Sequence, residues 1–341
     1  MTESMTVRRG ADTHAGEPSE TAPFGTARHL IHCPVSWGNC LDTPGLGEEH
    51  FVLADRLPRD HPLFNDGPAH FHDMQVVTES VREIGEFVGH RYFGVPTERT
   101  GLFYRYDLRL TDLAPWRARP GGGSRLSTRL RAVPTHVVNG IPRGVEFHTE
   151  VSIDGTPCAV GSASLVFLTP ALYRNQLAFA QPGRTAPEEH GRAAVTVPPT
   201  AAHRVPAAEV GRADAGNVLV SDPERLPSGR LSTWVRTQHV APVFTGREGR
   251  LAGLHVLEAL RQSALLSAGR RHGLASARCT LAASRVHFRG SADAGPPLRC
   301  VAVAGEVEPD PDGRARVPVT LTLTQGRKAV AEATAVVVQD L

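Results

Sequence analysis

Lysine is nearly absent from this 341-residue chain: Lys328 stands alone beside 36 arginines. Acidic residues offset the basic ones almost completely, 35 against 37, leaving a formal net charge of +2. No strong field steers such a protein toward nucleic acid or an acidic membrane surface, so binding of either by bulk charge is excluded. A GC-rich coding sequence produces the same arginine bias without selection, and arginine as such is background. Long apolar runs are missing as well. No stretch approaches the roughly 18 to 20 apolar residues of a membrane helix, and MTESMTVRRGADTHAGEPSE at the start has no apolar signal core. A cytoplasmic protein without membrane contact is expected.

Cysteine is scarce. Cys33, Cys40, Cys158, Cys279 and Cys300 are odd in number, scattered and free of any CxxC pair, which argues against a disulfide framework or a zinc knuckle. They read as reduced small hydrophobes. Phosphate-cradling signatures are also missing, since Gly121-Gly122-Gly123 runs into Ser124 and Arg125 instead of a Lys-Ser or Lys-Thr pair, and no G-x-G-x-x-G or G-x-S-x-G occurs. His70, His72 and Asp73 are ligand types at close spacing, but no second ligand cluster accompanies them. Neither a metal nor another cofactor is expected.

A 40% hydrophobic fraction is enough to build a core, and the length suits two domains of ordinary size. Residues 1–26 are polar and should form a disordered tail. Between 181 and 216, Pro182, Pro187, Pro198, Pro199 and Pro206 forbid long regular elements, so this segment reads as a linker between a repeat at 27–180 and another at 217–341.

The repeat is visible around two glutamates. HPLFNDGPAHFHDMQVVTESVREIGEFVGHRYFGVP contains Glu79, and HVAPVFTGREGRLAGLHVLEALRQSALLSAGRRHGLA contains Glu258. Without a gap, Arg82 falls on Arg261, Arg91 on Arg270, Gly94 on Gly273 and Val95 on Leu274. His61 lies 18 residues before its glutamate and His239 lies 19 before its own. Val77, Val81, Ile84 and Val88 in one copy, and Leu257, Leu260, Ala264 and Ala268 in the other, recur at helical spacing and predict helices of three to four turns. Period-two alternation follows each: Val145 to Ile153, a turn at Asp154-Gly155 and Ala159 to Leu168, then Val317 to Leu323, a turn near Gln325-Gly326 and Ala329 to Gln339. One helix and then several strands, twice over, predict an α+β tandem (double) hotdog, with two long helices each wrapped by a curved antiparallel sheet.

At i and i+3, Glu79 with Arg82 and Glu258 with Arg261 share a helix face and can act on one ligand, and Gln262 adds an amide at i+4. His61 and His239 precede their helices by loops containing Gly and Pro, from which an imidazole could work with the glutamate as an acid/base pair.

These residues carry a resemblance. PRDHPLF, HDMQVVTESVREIGEFVGHRYFGVP, GSASLVFLTPALYR, EVGR and GLHVLEALRQSAL resemble the A-factor biosynthesis (AfsA) family, over nearly everything from Arg28 onward. The family usually has Glu-x-x-Arg-Gln in both helices, whereas the first copy here reads Glu79-Ser80-Val81-Arg82-Glu83, and the second loop lacks its Asp. The resemblance implies an acyltransferase that moves a β-ketoacyl group from an acyl carrier protein to dihydroxyacetone phosphate, giving a butenolide precursor of a γ-butyrolactone-type signal. It implies Glu258 as base, Arg261 as a phosphate or intermediate clamp, and Glu79 and Arg82 in a first cleft. His61 and His239 would orient the reacting groups, and Gln262, Arg91 and Arg270 would contact substrate. A monomeric pseudo-dimer or a homodimer would serve. The alternatives are a hotdog dehydratase or thioesterase acting on acyl thioesters, and a non-catalytic protein binding a small ligand.

Overall fold

The computed structural model describes residues 40–42, 50–57, 61–67, 70–119, 123–180, 203–246, 249–326 and 328–341. The expected tail at 1–26 and the greater part of the expected linker lie outside them.

The described residues contain three α-helices and one antiparallel sheet. In chain order these are β1 (Cys40–Asp42), β2 (His50–Arg56), α1 (Gln75–Tyr92), β3 (Thr100–Leu110), β4 (Arg125–Thr135), β5 (Gly144–Ile153), β6 (Thr156–Leu168) and α2 (Pro170–Ala180). After residue 203 come β7 (Glu224–Arg225), β8 (Leu231–Val235), α3 (Gly253–His272), β9 (Cys279–Phe288), β10 (Leu298–Ala304), β11 (Glu308–Pro309), β12 (Ala315–Gln325) and β13 (Lys328–Gln339). The strands lie side by side in the order β1-β2-β4-β5-β6-β3-β9-β13-β12-β10-β8-β7, with β11 on β12.

That order reads the same outward from its middle. On one side of the β3–β9 junction stand β3, β6, β5, β4 and β2, and on the other β9, β13, β12, β10 and β8. Each half is a strand, a helix and four strands, with the strand that follows the helix placed at the junction. The junction itself pairs Arg105 with His287 through Arg109 with Ala283.

The periodicities account for the elements. β4 alternates Leu126, Thr128, Leu130 and Ala132 inward with the arginines between them outward, the half-buried pattern of a sheet with one face on a core. Asp154 and Gly155 (φ 50° and 81°) turn β5 into β6, and Gly326 (φ 60°) serves the β12–β13 turn. Val77, Val81, Ile84 and Val88 of α1, with Leu257, Leu260, Ala264 and Ala268 of α3, are buried against the sheet. Both helices exceed the expected length, at 18 and 20 residues, or about five turns. Their shared glycines are explained by the exit: Gly94 and Gly273 have φ of 63° and 72°, the left-handed conformation that ends a helix. α2, which follows Leu168, lacked a periodic signal strong enough to predict it.

The segment expected as a linker is partly core. From residue 203 it has the short turns its prolines permit, Ala207–Val210 and Ala215–Asn217, yet Val205 and Val210 are buried, as are Val218 and Leu219 just beyond. Valines on either side of Pro206, and the apolar run that follows at 218–220, bury their side chains in this strap without any long regular element.

Candidate active site

The strap explains the most densely bonded group in the described structure. Glu258, on the first half of α3, is fully buried and accepts six hydrogen bonds from four side chains. Oε1 accepts from Arg212 Nε (2.8 Å), Arg261 Nη2 (2.9 Å) and Gln262 Nε2 (2.6 Å). Oε2 accepts from Arg212 Nη2 (2.7 Å), Arg261 Nε (2.9 Å) and Gln75 Nε2 (2.5 Å). Burial alone would raise this carboxyl, but two guanidinium groups overcome it and hold Glu258 well below the usual carboxylate range.

Four elements meet here because each has its own anchor. Arg212 is 4% exposed and also donates to Asp73 Oδ2 (2.8 Å) and to the carbonyls of Leu63 (2.8 Å) and Asp66 (3.2 Å). Facing carboxylates push its guanidinium above the ordinary arginine value despite burial. Asp73 uses its other oxygen to accept from the Gln75 amide (2.9 Å) at the start of α1. Asp66 accepts from the Ala213 and Asp214 amides and from Asn217 Nδ2, tying the 61–67 loop to the strap. One buried arginine thus joins both halves of the chain around one carboxylate.

Beside this cluster runs a narrow cavity of about 30 Å³ between α1 and α3, over the β3–β9 junction. Its walls are largely apolar: Met74, Leu108, Leu257, Leu260, Leu281, Val286, Leu321, Ala333 and Ala335. Five polar side chains interrupt them, Gln75, Thr78, Tyr106, Ser284 and Arg261. Arg261 Nε and Nη2 are fixed by Glu258 and by the Val210 carbonyl (3.0 Å), while Nη1 has no hydrogen-bond partner among the described residues. A preorganised guanidinium beside an apolar slot can hold an oxyanion or a phosphate.

The sequence-based candidates separate in space. Glu258, Arg261 and Gln262 come together, although the Gln262 amide is occupied by the fold: Nε2 also donates to the Asn217 carbonyl (2.7 Å) and Oε1 accepts from the Leu219 amide (2.8 Å). Glu79, 1% exposed on α1, makes the matching two-pronged pair with Arg82 (2.9 and 2.6 Å), and Arg82 also reaches Glu83, where the second copy has Gln262. His61 Nδ1 accepts from the Leu63 and Phe64 amides (3.2 and 3.1 Å), holding the turn that presents the Leu63 carbonyl to Arg212. His239 is exposed and makes no side-chain hydrogen bond with Glu258; the histidine near that carboxylate is His255, buried on α3 with Nε2 at 2.6 Å from the Arg236 carbonyl. Arg91 and Arg270 lie twelve residues beyond their glutamates, about 18 Å along each helix. Arg91 is exposed and Arg270 pairs with Glu209 and Asp222. No cluster of three metal-ligating side chains occurs among the described residues.

Arg212, Gln75 and Tyr106 were not picked out as site residues from the sequence, and Asp73 was considered there only as a metal-ligand type. The strings EVGR, ending at Arg212, and HDMQ, containing Asp73 and Gln75, were the available signals, read there only as part of a resemblance.

A family model described as the A-factor biosynthesis hotdog domain matches residues 36–169 and again residues 194–338. The chain belongs to the AfsA family. Its hotdog fold is accordingly that of the family, a large antiparallel sheet with few helices. Two curated relatives bear the name 2-oxo-3-(phosphooxy)propyl 3-oxoalkanoate synthase. The one from Streptomyces coelicolor is 29% identical to this AfsA-family chain over 239 residues, 69% of it and 68% of the relative. That from Streptomyces griseus is 29% identical over 230 residues, 66% and 69% of the two. Among solved structures, a putative oleoyl thioesterase from Lactobacillus plantarum matches with a TM-score of 0.52 at 10% identity, covering 87% of this chain and 99% of that one. That likeness concerns the fold alone. The long α1 and α3 contain no span apolar enough to cross a membrane, and neither does any other helix described.

Proposed function

We propose that this AfsA-family protein is an acyltransferase that joins a 3-oxoacyl group to the free hydroxyl of dihydroxyacetone phosphate, making the type of phosphorylated ester for which its relatives are named. The acyl donor is a thioester on an acyl carrier protein, and later ring closure of the ester gives a butenolide precursor of a γ-butyrolactone-type signal. The observation that supports this reading most is the buried Glu258–Arg212–Arg261 cluster at the wall of an apolar slot. The apolar wall suits a thioester carbonyl excluded from water, and an oxyanion or phosphate needs the guanidinium.

In this scheme the hydroxyl oxygen bonds to the thioester carbonyl carbon, the C–S bond breaks, and the hydroxyl proton leaves on the thiol. No net proton is gained or lost, so a relay suffices. Arg261 Nη1 faces the developing oxyanion or the phosphate. Glu258 does not act as the base: a general base works best with a pKa near the operating pH, and two guanidinium groups hold this carboxylate far below that. Its role is to fix the direction of Arg261. Glu79 and Arg82 form the counterpart cleft of the first half, which the slot does not include. The mirrored strand order and the doubled family match support two hotdog units, 27–180 and 217–341, that associate within one chain as single units would between chains.

Purified protein given a 3-oxoacyl thioester with and without dihydroxyacetone phosphate tests the reading by product mass. A phosphorylated ester that forms only when both are present is expected. Free acid released at the same rate in both mixtures, or saturable binding without turnover, would overturn it.

A further inference from the structure

Two side chains on the slot have polar atoms with no partner. Tyr106 is 5% exposed and Gln75 6%, and both line the cavity between α1 and α3. Tyr106 Oη and Gln75 Oε1 are buried from solvent without a hydrogen bond of normal geometry, although the Thr78 hydroxyl lies beside the phenol. An unpaired buried polar atom is costly, and two on one small cavity point to a ligand that completes them.

Their polarities say which groups would fit. Gln75 is not free to turn, because its Nε2 must face the Glu258 carboxylate (2.5 Å), which would repel an amide oxygen. Its Oε1 therefore presents an acceptor, which suits a hydroxyl. Burial pushes the Tyr106 phenol above its ordinary value, so it stays protonated and can donate. An apolar chain with one carbonyl acceptor suits that donor, since Leu108, two residues along β3, and Val286, paired with Tyr106 across the junction, are both apolar walls.

We propose that Tyr106 Oη donates a hydrogen bond to the 3-oxo oxygen of the acyl donor and thereby selects 3-oxoacyl over unsubstituted acyl chains, while Gln75 Oε1 accepts from the attacking hydroxyl. The inference rests on the acyltransfer reading. Arg261 meets the reacting end of the donor, and Tyr106 reads the carbonyl next along the chain. The cavity of about 30 Å³ has room for the polar groups of the donor, and Ala333 and Ala335 are small residues on the same wall.

The test measures kcat/KM for a 3-oxoacyl thioester and for its unsubstituted counterpart of equal length, with dihydroxyacetone phosphate, in wild type and in Tyr106→Phe. The wild type should favour the 3-oxo donor by about tenfold or more, the size expected of one buried hydrogen bond left unmade. In Tyr106→Phe the ratio should fall toward one. The melting temperature of the variant should stay close to that of wild type, because the hydroxyl removed has only the Thr78 hydroxyl beside it and no hydrogen bond of normal geometry. A ratio unchanged by the substitution, or a wild type that does not discriminate, overturns the inference while ester formation leaves the acyltransferase reading standing. Wild-type protein that makes no ester from either donor overturns that reading and the inference with it.

Discussion

Glu258→Gln changes one atom and removes one charge at the centre of the cluster. Each carboxylate oxygen of Glu258 accepts three hydrogen bonds, so whichever side the new amide nitrogen takes, three donors meet another donor. Arg212, 4% exposed, would keep only Asp73 as a charged partner, and Arg261 would keep the Val210 carbonyl and the one remaining amide oxygen, with no charged partner among the described residues. Breaking a buried ion pair by removing one member costs about 3–5 kcal/mol, a large part of the ~5–15 kcal/mol that holds a folded domain together. Urea unfolding at pH 7, followed by tryptophan fluorescence, should show that loss as a lower midpoint. Glu79→Gln should cost less, because its arginine partner is 30% exposed and can rehydrate. The pH dependence has a definite sign. A carboxyl depressed in the folded state adds stability above its unfolded pKa, near 4.3, and loses it as pH falls through the folded value, so the gap between wild type and Glu258→Gln should shrink below about pH 4. A Glu258→Gln protein within about 1 kcal/mol of wild type at pH 7 would refute the reasoning.

Burial lowers His255 to about 4, against the smaller opposing effect of its contact with the Arg236 carbonyl. Between about 4 and the unfolded value near 6.5 the unfolded chain binds the extra proton, so stability should fall by about 3 kcal/mol as pH drops through that window, and His255→Gln should flatten this part of the urea-midpoint profile. Gly89→Ala should destabilise by about 1–3 kcal/mol in the same assay, since the added methyl would sit 2.0 Å from Phe167 Cζ beneath α1. Asp340 accepts from Arg117 Nε and Nη2 (2.7 Å each) and lies 2.9 Å from His70 Nε2, joining the end of the chain to the first half. Asp340→Ala should speed amide hydrogen exchange at His72 and Ala118, whose amides bond within that loop pair, without changing exchange in β12.

The helices and hairpins were legible because their signals are local. Val77 to Val88 repeat with the period of a helix and Val145 to Ile153 with that of a strand, and a chain that obeys either period can bury its apolar residues in only one way. Glycines at 94 and 273 kept their places in both copies because the helix exit needs a left-handed residue. The buried Glu-Arg pairs could be read from i, i+3 spacing for the same reason, since three residues apart on a helix is already a distance in space. His239 misled because its nearly equal spacing from the glutamate, 19 residues against 18, fixes only contour length, and a loop of that length can leave the imidazole exposed. The strap was hidden by its prolines, which rule out helices and strands but not burial.

Sequence by itself therefore determined the duplicated order of elements, the faces they bury and the family to which the repeat motifs belong. Tertiary structure alone decided that Glu258, and not its counterpart Glu79, sits between two guanidinium groups, because Arg212 lies 46 residues away along the chain and reaches the carboxylate only when the strap folds across both halves. It also decided which polar atoms are left over. Whether Gln75 or Tyr106 finds a partner depends on which side chains arrive from other strands and helices, and that is set by packing in three dimensions, for which linear spacing has no counterpart.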